Sequence, residues 1–422
     1  MSRRYFGTDG VRGVAGEFLT ADLVERLGRA AVLWGGARRI FVGRDTRGSG
    51  PEFEAALADG AASAGADVVL GGVLPSGAVG LKAVDFDLGA VITASHNPPE
   101  YNGVKFFRRA GKLSDGDEEA IEAFLDAPSA TGRGSIEHDD TVAAAYVEFV
   151  TSAFGADLSE LDLVLDCANG ACSGIAVDAF ERLGALVHTI GNAPDGTNIN
   201  LGCGATDTAL LQRSVVDRGA SLGLAFDGDG DRLIAVDGRG DVVDGDGILA
   251  ILALAQRPEL VAVTQMTNLG FHALMAANGI RVVTTAVGDR YVLEALEREG
   301  GVLGGEQSGH IIHLSDHVTG DGLPAALMLC AALDGRSLTE AAGALQRYTQ
   351  CKENVRVASK DLTRPVQEAV EQANAELGDD GRVLVRPSGT EPIIRVLVEA
   401  RDGEKAKQAC ATIAALVESE LG

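Results

Sequence analysis

The chain has 422 residues, of which 46% are apolar and 23% charged, and carries a formal net charge of −25. The length allows about three domains with substantial cores. So acidic a chain argues against nucleic acid as a partner, because a phosphate backbone needs a basic surface. The most apolar stretch, Leu323 to Leu333, is too short to span a bilayer, so no membrane association is expected. A net negative surface also repels anionic ligands at long range. Any phosphate must then be captured locally by a metal, by backbone N–H groups, or by the forked guanidinium groups of a chain richer in Arg than in Lys.

The N-terminus runs from Met1 into Gly7-Thr-Asp-Gly10 with no apolar region of the kind found in signal peptides. The six cysteines form no CxxC pair, and a chain of this length needs no covalent staples. Reduced, mostly buried thiols and a cytoplasmic location are expected. Pro51 to Ala64 reads as a helix, with Phe53, Leu57 and Ala61 spaced by four, and Asp67 to Leu70 follows as a strand. Leu161 to Leu165 reads as a strand and Ala176 to Leu183 as a helix. Val261 to Val263, the helix Phe271 to Ala277 and Val282 to Thr284 repeat the theme. Such alternation predicts α/β layers on largely parallel sheets. The end differs: Ile393 to Glu399 is a strand with no βα repeat after it, and Lys405 to Leu421 reads as a closing helix, which suggests a small α+β domain. Boundaries near 150, 245 and 350 give domains 1–150, 151–245, 246–350 and 351–422.

Four places share one pattern, an apolar run leading into a polar, Gly-rich loop. They begin at Gly89-Ala-Val-Ile-Thr-Ala-Ser-His-Asn-Pro98, Leu222-Gly-Leu-Ala-Phe-Asp-Gly-Asp-Gly-Asp-Arg232, Gly301-Val-Leu-Gly-Gly-Glu-Gln-Ser-Gly-His310 and Val383-Leu-Val-Arg-Pro-Ser-Gly-Thr-Glu-Pro392. Ligands of α/β sheets sit beyond the carboxyl ends of strands, so one loop per domain would surround a central cleft. In the second loop Asp227, Asp229 and Asp231 can converge if the chain curls, and hard oxygen ligands suit Mg²⁺. An EF-hand is excluded, because its sixth position would be Arg232 instead of Gly and its twelfth Gly238 instead of Glu. An acidic surface turn is the plainer alternative.

Ser95 follows a strand and sits in a constrained turn, where its hydroxyl could carry a phosphoryl group. Taken alone it could equally be a turn or cap hydroxyl. No GxSxG elbow surrounds it, which disfavours a hydrolase triad. Its weight comes from the separate acidic loop, since a phosphoserine would supply the ligand oxygen that three Asp leave wanting. Glu306, Gln307 and Ser308 offer a carboxylate, an amide and a hydroxyl between glycines, a set suited to sugar hydroxyls or an amine. Arg386, Ser388, Gly389 and Thr390 read as an anion cradle, or as an ordinary Pro-bounded loop.

Together, in this order and spacing over nearly the whole chain, the four loops resemble the α-D-phosphohexomutase superfamily. Phe6-Gly-Thr-Asp-Gly-Val-Arg-Gly13 and Gln307 are similar to its phosphoglucosamine mutase branch. The resemblance implies three related α/β domains with mixed, mostly parallel sheets, then a smaller C-terminal α+β domain around a central cleft. The domains would bear, in order, the phosphoserine, the metal, the sugar-recognition loop and the phosphate loop. It implies one Mg²⁺ per active site, held by Ser95, Asp227, Asp229 and Asp231, and phosphoserine at Ser95. Arg12 and Arg232 would place charge near the phosphoryl group, Lys105 would be the candidate general base, and His310 would assist proton transfer. Arg290, in Gly288-Asp-Arg290, would lie near the sugar, and Arg395 would join the phosphate loop. The implied reaction converts glucosamine 6-phosphate to glucosamine 1-phosphate through a 1,6-bisphosphate, which serves as intermediate or activator, and feeds UDP-N-acetylglucosamine synthesis in bacteria. The partner would be a small sugar phosphate, and the protein a monomer or homodimer.

Three other readings are open to the same residues. A phosphomannomutase/phosphoglucomutase shares every loop except the details of sugar recognition. A Mg²⁺-dependent phosphatase would use an Asp nucleophile in the acidic loop. A sugar-phosphate sensor would bind without turnover.

Overall fold

The computed structural model describes residues 4–7, 9–108, 111–128, 132–388 and 392–422. Four sheets follow one another along the chain. The first contains β1 (Val11–Val14), β2 (Arg39–Arg44), β3 (Asp67–Val73), β4 (Leu88–Ile92), β5 (Tyr101–Arg108), β6 (Gly111–Lys112) and β7 (Ile136–His138). The second contains β8 (Asp162–Asp166), β9 (Leu186–Ile190), β10 (Leu222–Phe226), β11 (Leu233–Asp237) and β12 (Val242–Val243). The third contains β13 (Leu260–Thr264), β14 (Arg281–Thr285), β15 (Leu303–Gly305) and β16 (Ile311–His313). The last contains β17 (Thr349–Arg356), β18 (Gly381–Pro387) and β19 (Ile393–Ala400).

The first three sheets repeat one plan. Apart from the flanking strands β1, β6, β7 and β12, four strands of each run β5-β4-β2-β3, β11-β10-β8-β9 and β16-β15-β13-β14, so each set of four presents its fourth, third, first and second members in that order. In each, the first three chain-order strands pair in parallel and the fourth turns back antiparallel. The loop between third and fourth strand therefore leaves the carboxyl end of a central parallel strand. Those loops are the ones that carry Ser95, the three Asp, and Glu306 to Ser308. The fourth sheet is wholly antiparallel, ordered β17-β19-β18, and Arg386, expected in a loop, stands near the end of β18, which pairs with the next strand, β19. The fold class is thus three α/β units and an α+β unit, as the pattern of apolar runs predicts.

Burial explains the strand assignments. Strands β4, β10, β11 and β13 are buried at every residue, as expected of central strands covered on both faces. The helix Ala21–Gly35 starts at Thr20, whose hydroxyl accepts from Leu23 N–H, and ends at left-handed Gly36. The helix Gly322–Leu333 is buried almost all round, which accounts for the apolarity of Leu323 to Leu333. Among the described residues no helix is long and apolar enough to cross a membrane. The six cysteines are free thiols, all buried except half-buried Cys351.

The chain forms two compact units. One holds residues 1–265 and 280–343, and the other holds 266–279 and 344–422. The second therefore borrows the helix Leu269–Ala277 from the stretch between β13 and β14. Leu269 N–H donates to buried Glu399, and Asn268 exchanges hydrogen bonds with the Tyr348 backbone.

Candidate active site

Within the larger unit the first three loops interlock. Ser95 is 1% exposed and adopts a left-handed backbone with φ of 52°. Such a conformation is costly for a residue with a Cβ, so the surroundings must impose it. Its hydroxyl donates to Asp227 Oδ2 at 2.6 Å. The imidazole of His96 lies 3.2 Å from the same oxygen, and burial, then Arg232 and Arg12, push its pKa down to about 4.

Asp227, Asp229 and Asp231 are all buried, and one oxygen of each lies within 4.8 Å of the others. The glycines between them permit this crowding. A Cβ on Gly228 would meet Ser95 O at 2.7 Å, and Gly230 has φ of 72° and packs on Cys172. Burial, then Asp231 and Asp229, raise the Asp227 pKa well above the carboxylate range. Burial works the same way on Asp231, but Lys105 and His310 outweigh it and hold that carboxyl well below the range. Among the described residues, buried Asp229 Oδ1 and Asp231 Oδ1 have no hydrogen-bond partner. Three converging buried carboxylates with oxygens left without hydrogen bonds fit a hard cation with oxygen ligands.

The opposite oxygens are the ones already engaged. Lys105 Nζ lies 2.9 Å from Asp229 Oδ2, 3.3 Å from Asp231 Oδ2 and 2.9 Å from Asp9. Burial alone would favour the neutral amine, but these carboxylates raise the Lys105 pKa well above its ordinary value. From there an alternating chain of charge continues. Asp9 pairs with Arg12 and with Lys112, Lys112 pairs with Asp289, and Asp289 lies 3.3 Å from His310 Nε2. His310 Nδ1 closes the circuit 3.7 Å from Asp231. Burial opposes protonation of His310, but Asp289 and Asp231 raise its pKa.

The acidic loop and the 306–310 loop are zipped by backbone, with Leu233 N–H donating to Gly309 O at 2.9 Å and Arg232 bridging His310. Glu306 accepts from Gly288 N–H at 3.0 Å, Gln307 donates to buried Asp246 at 3.4 Å, and Ser308 is exposed. Arg290 is 8% exposed and pairs with Asp115 and with Glu118, both on the helix Asp115–Glu122, so its fork is engaged by carboxylates.

In the smaller unit Arg386 and Arg395 face each other across the β18–β19 ladder. Burial and Arg395 lower the Arg386 pKa. Arg395 reaches Ser388 Oγ at 3.5 Å, and Lys360 donates to Ser388 O at 2.7 Å. Like charges set opposite each other cost stability unless an anion joins them. Gly389 and Thr390 lie outside the described residues.

Ser95, Lys105, Arg12, Arg232, His310 and the three Asp are therefore brought together. Sequence reasoning passed over Asp9, Lys112, Asp289, Ser76 and Lys360. Asp9 and Asp289 stand inside stretches already singled out, beside Arg12 and Arg290. Ser76, whose hydroxyl donates to Asp229 Oδ2 at 2.6 Å, carries no local signal at all.

The chain is similar to known proteins over nearly its whole length. The chain matches the models for phosphoglucomutase/phosphomannomutase alpha/beta/alpha domain I over residues 3–131, domain II over 144–240 and domain III over 244–348, and for the C-terminal domain over 353–416. It is 49% identical to the phosphoglucosamine mutase of Moorella thermoacetica, across 95% of this chain and 96% of that one. It is 46% identical to the phosphoglucosamine mutase of Streptomyces griseus, across 99% and 100%. A solved phosphoglucomutase/phosphomannomutase family protein from Burkholderia thailandensis superposes with a TM-score of 0.85 at 26% identity, covering 99% of this chain and 98% of that one. The chain belongs to the phosphoglucomutase/phosphomannomutase family.

Proposed function

We propose that this enzyme is a phosphoglucosamine mutase, which interconverts glucosamine 6-phosphate and glucosamine 1-phosphate. The observation that carries the chemistry is the Ser95 hydroxyl, 2.6 Å from Asp227 inside a buried cluster of three carboxylates. The assignment of sugar is supported by relatives named phosphoglucosamine mutase that match over nearly the full chain.

Ser95 is the phosphoryl carrier. In the forward direction the Oγ–P bond of phospho-Ser95 breaks as the sugar's O1–P bond forms, giving the 1,6-bisphosphate. After the ligand turns over, its O6–P bond breaks and Oγ–P re-forms. The proton of the attacking hydroxyl leaves, and one returns to the departing oxygen. Lys105 and His310, the nitrogen groups that reach Asp231, are the proposed carriers of these protons. Asp227, Asp229, Asp231 and the Ser95 phosphate would hold Mg²⁺, which when bound polarises the phosphoryl group and neutralises its charge. Arg12 and Arg232 orient the phosphoryl oxygens. Glu306, Gln307 and Ser308 bind the ring in either orientation, and Arg386, Ser388 and Arg395 grip the phosphate that is not reacting.

The test is kcat/KM for glucosamine 6-phosphate, glucose 1-phosphate and mannose 1-phosphate, using Ser95-phosphorylated protein with Mg²⁺. Preference for glucosamine 6-phosphate is expected. Preference for either hexose phosphate would keep the mechanism and move the enzyme to the phosphomannomutase/phosphoglucomutase reading. Release of inorganic phosphate without isomerisation would favour a phosphatase.

A further inference from the structure

One ion pair that takes no part in the proposed chemistry governs the loop that carries Ser95. Arg47 is 1% exposed, among the largest fully buried side chains of the molecule. Its Nε lies 2.9 Å from Oδ2 of Asp45, which is itself fully buried. Its terminal nitrogens donate to four backbone carbonyls: Ser95, Asn97 and Tyr101, each at 2.8 Å, and Pro98. All four acceptors lie within a single seven-residue turn, so the terminal nitrogens of the guanidinium organise one loop. The carboxylate reaches that loop too. Asp45 Oδ2 accepts from Thr93 Oγ1 at 2.7 Å, and Thr93 Oγ1 accepts from Ser95 N–H at 2.8 Å. Both backbone polar groups of Ser95 thus lead to the same pair, its carbonyl directly and its N–H through Thr93. Asn200 adds a bond to Ser95 O at 2.9 Å and one to Asn97 O at 3.1 Å.

A buried ion pair is a poor way to add stability, because the cost of desolvating two charges rivals their attraction. What it supplies is direction. Ser95 has a φ of 52°, costly for a residue with a Cβ, and its hydroxyl is aimed at Asp227 in that conformation. We infer that Arg47, acting directly on the loop carbonyls, and Asp45, acting through Thr93, form a positioning device that locks the phosphoryl carrier in its left-handed conformation and sets the rate of phosphoryl transfer, not the affinity for sugar. The inference rests on Ser95 being the phosphoryl carrier.

The experiment compares wild type with Arg47→Lys, Thr93→Val and Thr93→Ser. Arg47→Lys keeps the charge but loses the fork. Thr93→Val keeps the shape but cuts the link to Ser95 N–H, and Thr93→Ser restores it. Steady-state kcat and KM are measured, together with phosphoryl uptake at Ser95 from glucose 1,6-bisphosphate, followed by intact-protein mass. Loss of positioning by about an ångström costs on the order of 10²-fold in rate. So kcat and the uptake rate should fall together by about that factor in Arg47→Lys and Thr93→Val, with KM for glucosamine 6-phosphate within about twofold and Thr93→Ser near wild type. If Arg47→Lys does not fold, Thr93→Val decides. Folded variants whose kcat stays within about threefold of wild type, or whose loss falls on KM, overturn the inference. Wild type that takes up no phosphoryl group at Ser95 takes down the carrier assignment and this inference together. Wild type that does, beside variants equal to it, removes the inference alone.

Discussion

The Ser95–Asp227 region and the Arg386–Arg395 region are the two places proposed to handle phosphate, and they are made of opposite materials. The first gathers negative charge in the interior. Asp227, Asp229 and Asp231 are buried, and the backbone around them is tied at every turn. Asp229 O accepts from Ser76 N–H at 2.8 Å, Gly230 O from Gly322 N–H at 2.9 Å, and Leu233 N–H reaches Gly309 O at 2.9 Å. The second gathers positive charge on half-buried side chains of a three-stranded sheet, where Arg386 stands directly opposite Arg395. The difference follows from what each must do. Transfer chemistry tolerates displacements of only a fraction of an ångström, so its ligands are fixed by neighbours from several elements before any substrate arrives. A phosphate that is gripped, released and gripped again in the other orientation needs charge and forked donors more than it needs rigidity.

The largest effect should come from removing the carrier in the first region. Ser95→Ala deletes the phosphoryl-accepting oxygen and one hydrogen bond to Asp227, and leaves the Thr93 and Arg47 contacts to the backbone in place. Turnover of glucosamine 6-phosphate should fall by more than about 10³-fold while the thermal unfolding midpoint moves by only a few degrees. Turnover above a tenth of wild type would dissolve the contrast, because the buried region would then not be the seat of transfer.

A smaller effect tests whether the tying matters as well as the ligands. Ser76 Oγ and Lys105 Nζ both engage Asp229 Oδ2, which fixes the orientation of a carboxylate proposed to hold the metal. Outer-shell partners of this kind set ligand orientation, and losing one costs about 10–100-fold in metal affinity. Ser76→Ala should therefore raise the Mg²⁺ concentration needed for half-maximal rate by that factor, with kcat at saturating Mg²⁺ nearly kept. An unchanged Mg²⁺ dependence would show that the acidic loop holds its geometry without the Ser76 hydroxyl.

How much of this was legible in the sequence follows the same division. Asp227-Gly-Asp-Gly-Asp231 announces itself because ligands, spacing and the glycines that let them converge lie in five consecutive residues. The four strand-to-loop places could be read because an apolar run ending in Gly and polar residues is a local signal, and each proved to join a strand to its antiparallel neighbour. The shared strand order of the first three sheets could not be read, since pairing between β2 and β4 or between β8 and β10 is decided by residues tens of positions apart. Nor could the partners that arrive from distant elements. Ser76 meets Asp229 across 153 positions, and Arg290 meets Glu118 across 172. The second pairing gives Arg290 a visible role between two domains that the sequence, which placed it near the sugar, did not suggest. Helix Leu269–Ala277 was legible as a helix but not as a member of the smaller unit, because its N-terminal contacts with Tyr348 and Glu399 are made far along the chain.

The smallest of the three effects belongs to the second region, and its sign is what distinguishes the two designs. Arg386→Ala removes one of two like charges that face each other across a ladder, and relieves a repulsion worth about 0.2–1 kcal/mol. In the absence of ligand the unfolding midpoint should hold or rise slightly, whereas cutting a buried, fully bonded group in the first region can only lower it. With substrate present the balance reverses. A charge-assisted bond to phosphate is worth about 1.5–3 kcal/mol, so KM for glucosamine 6-phosphate should rise about tenfold or more while uptake of a phosphoryl group at Ser95 keeps its limiting rate. Lys360 and Arg395 keep Ser388 in place, so the loss should be graded, not complete. A fall in the ligand-free midpoint with KM unchanged would mean that Arg386 serves the sheet and not the substrate, and the phosphate grip would then have to be sought on other residues. A rise in KM beside a steady midpoint would fix the division of labour: affinity from cations on a small antiparallel sheet, and rate from carboxylates locked between three repeated ones.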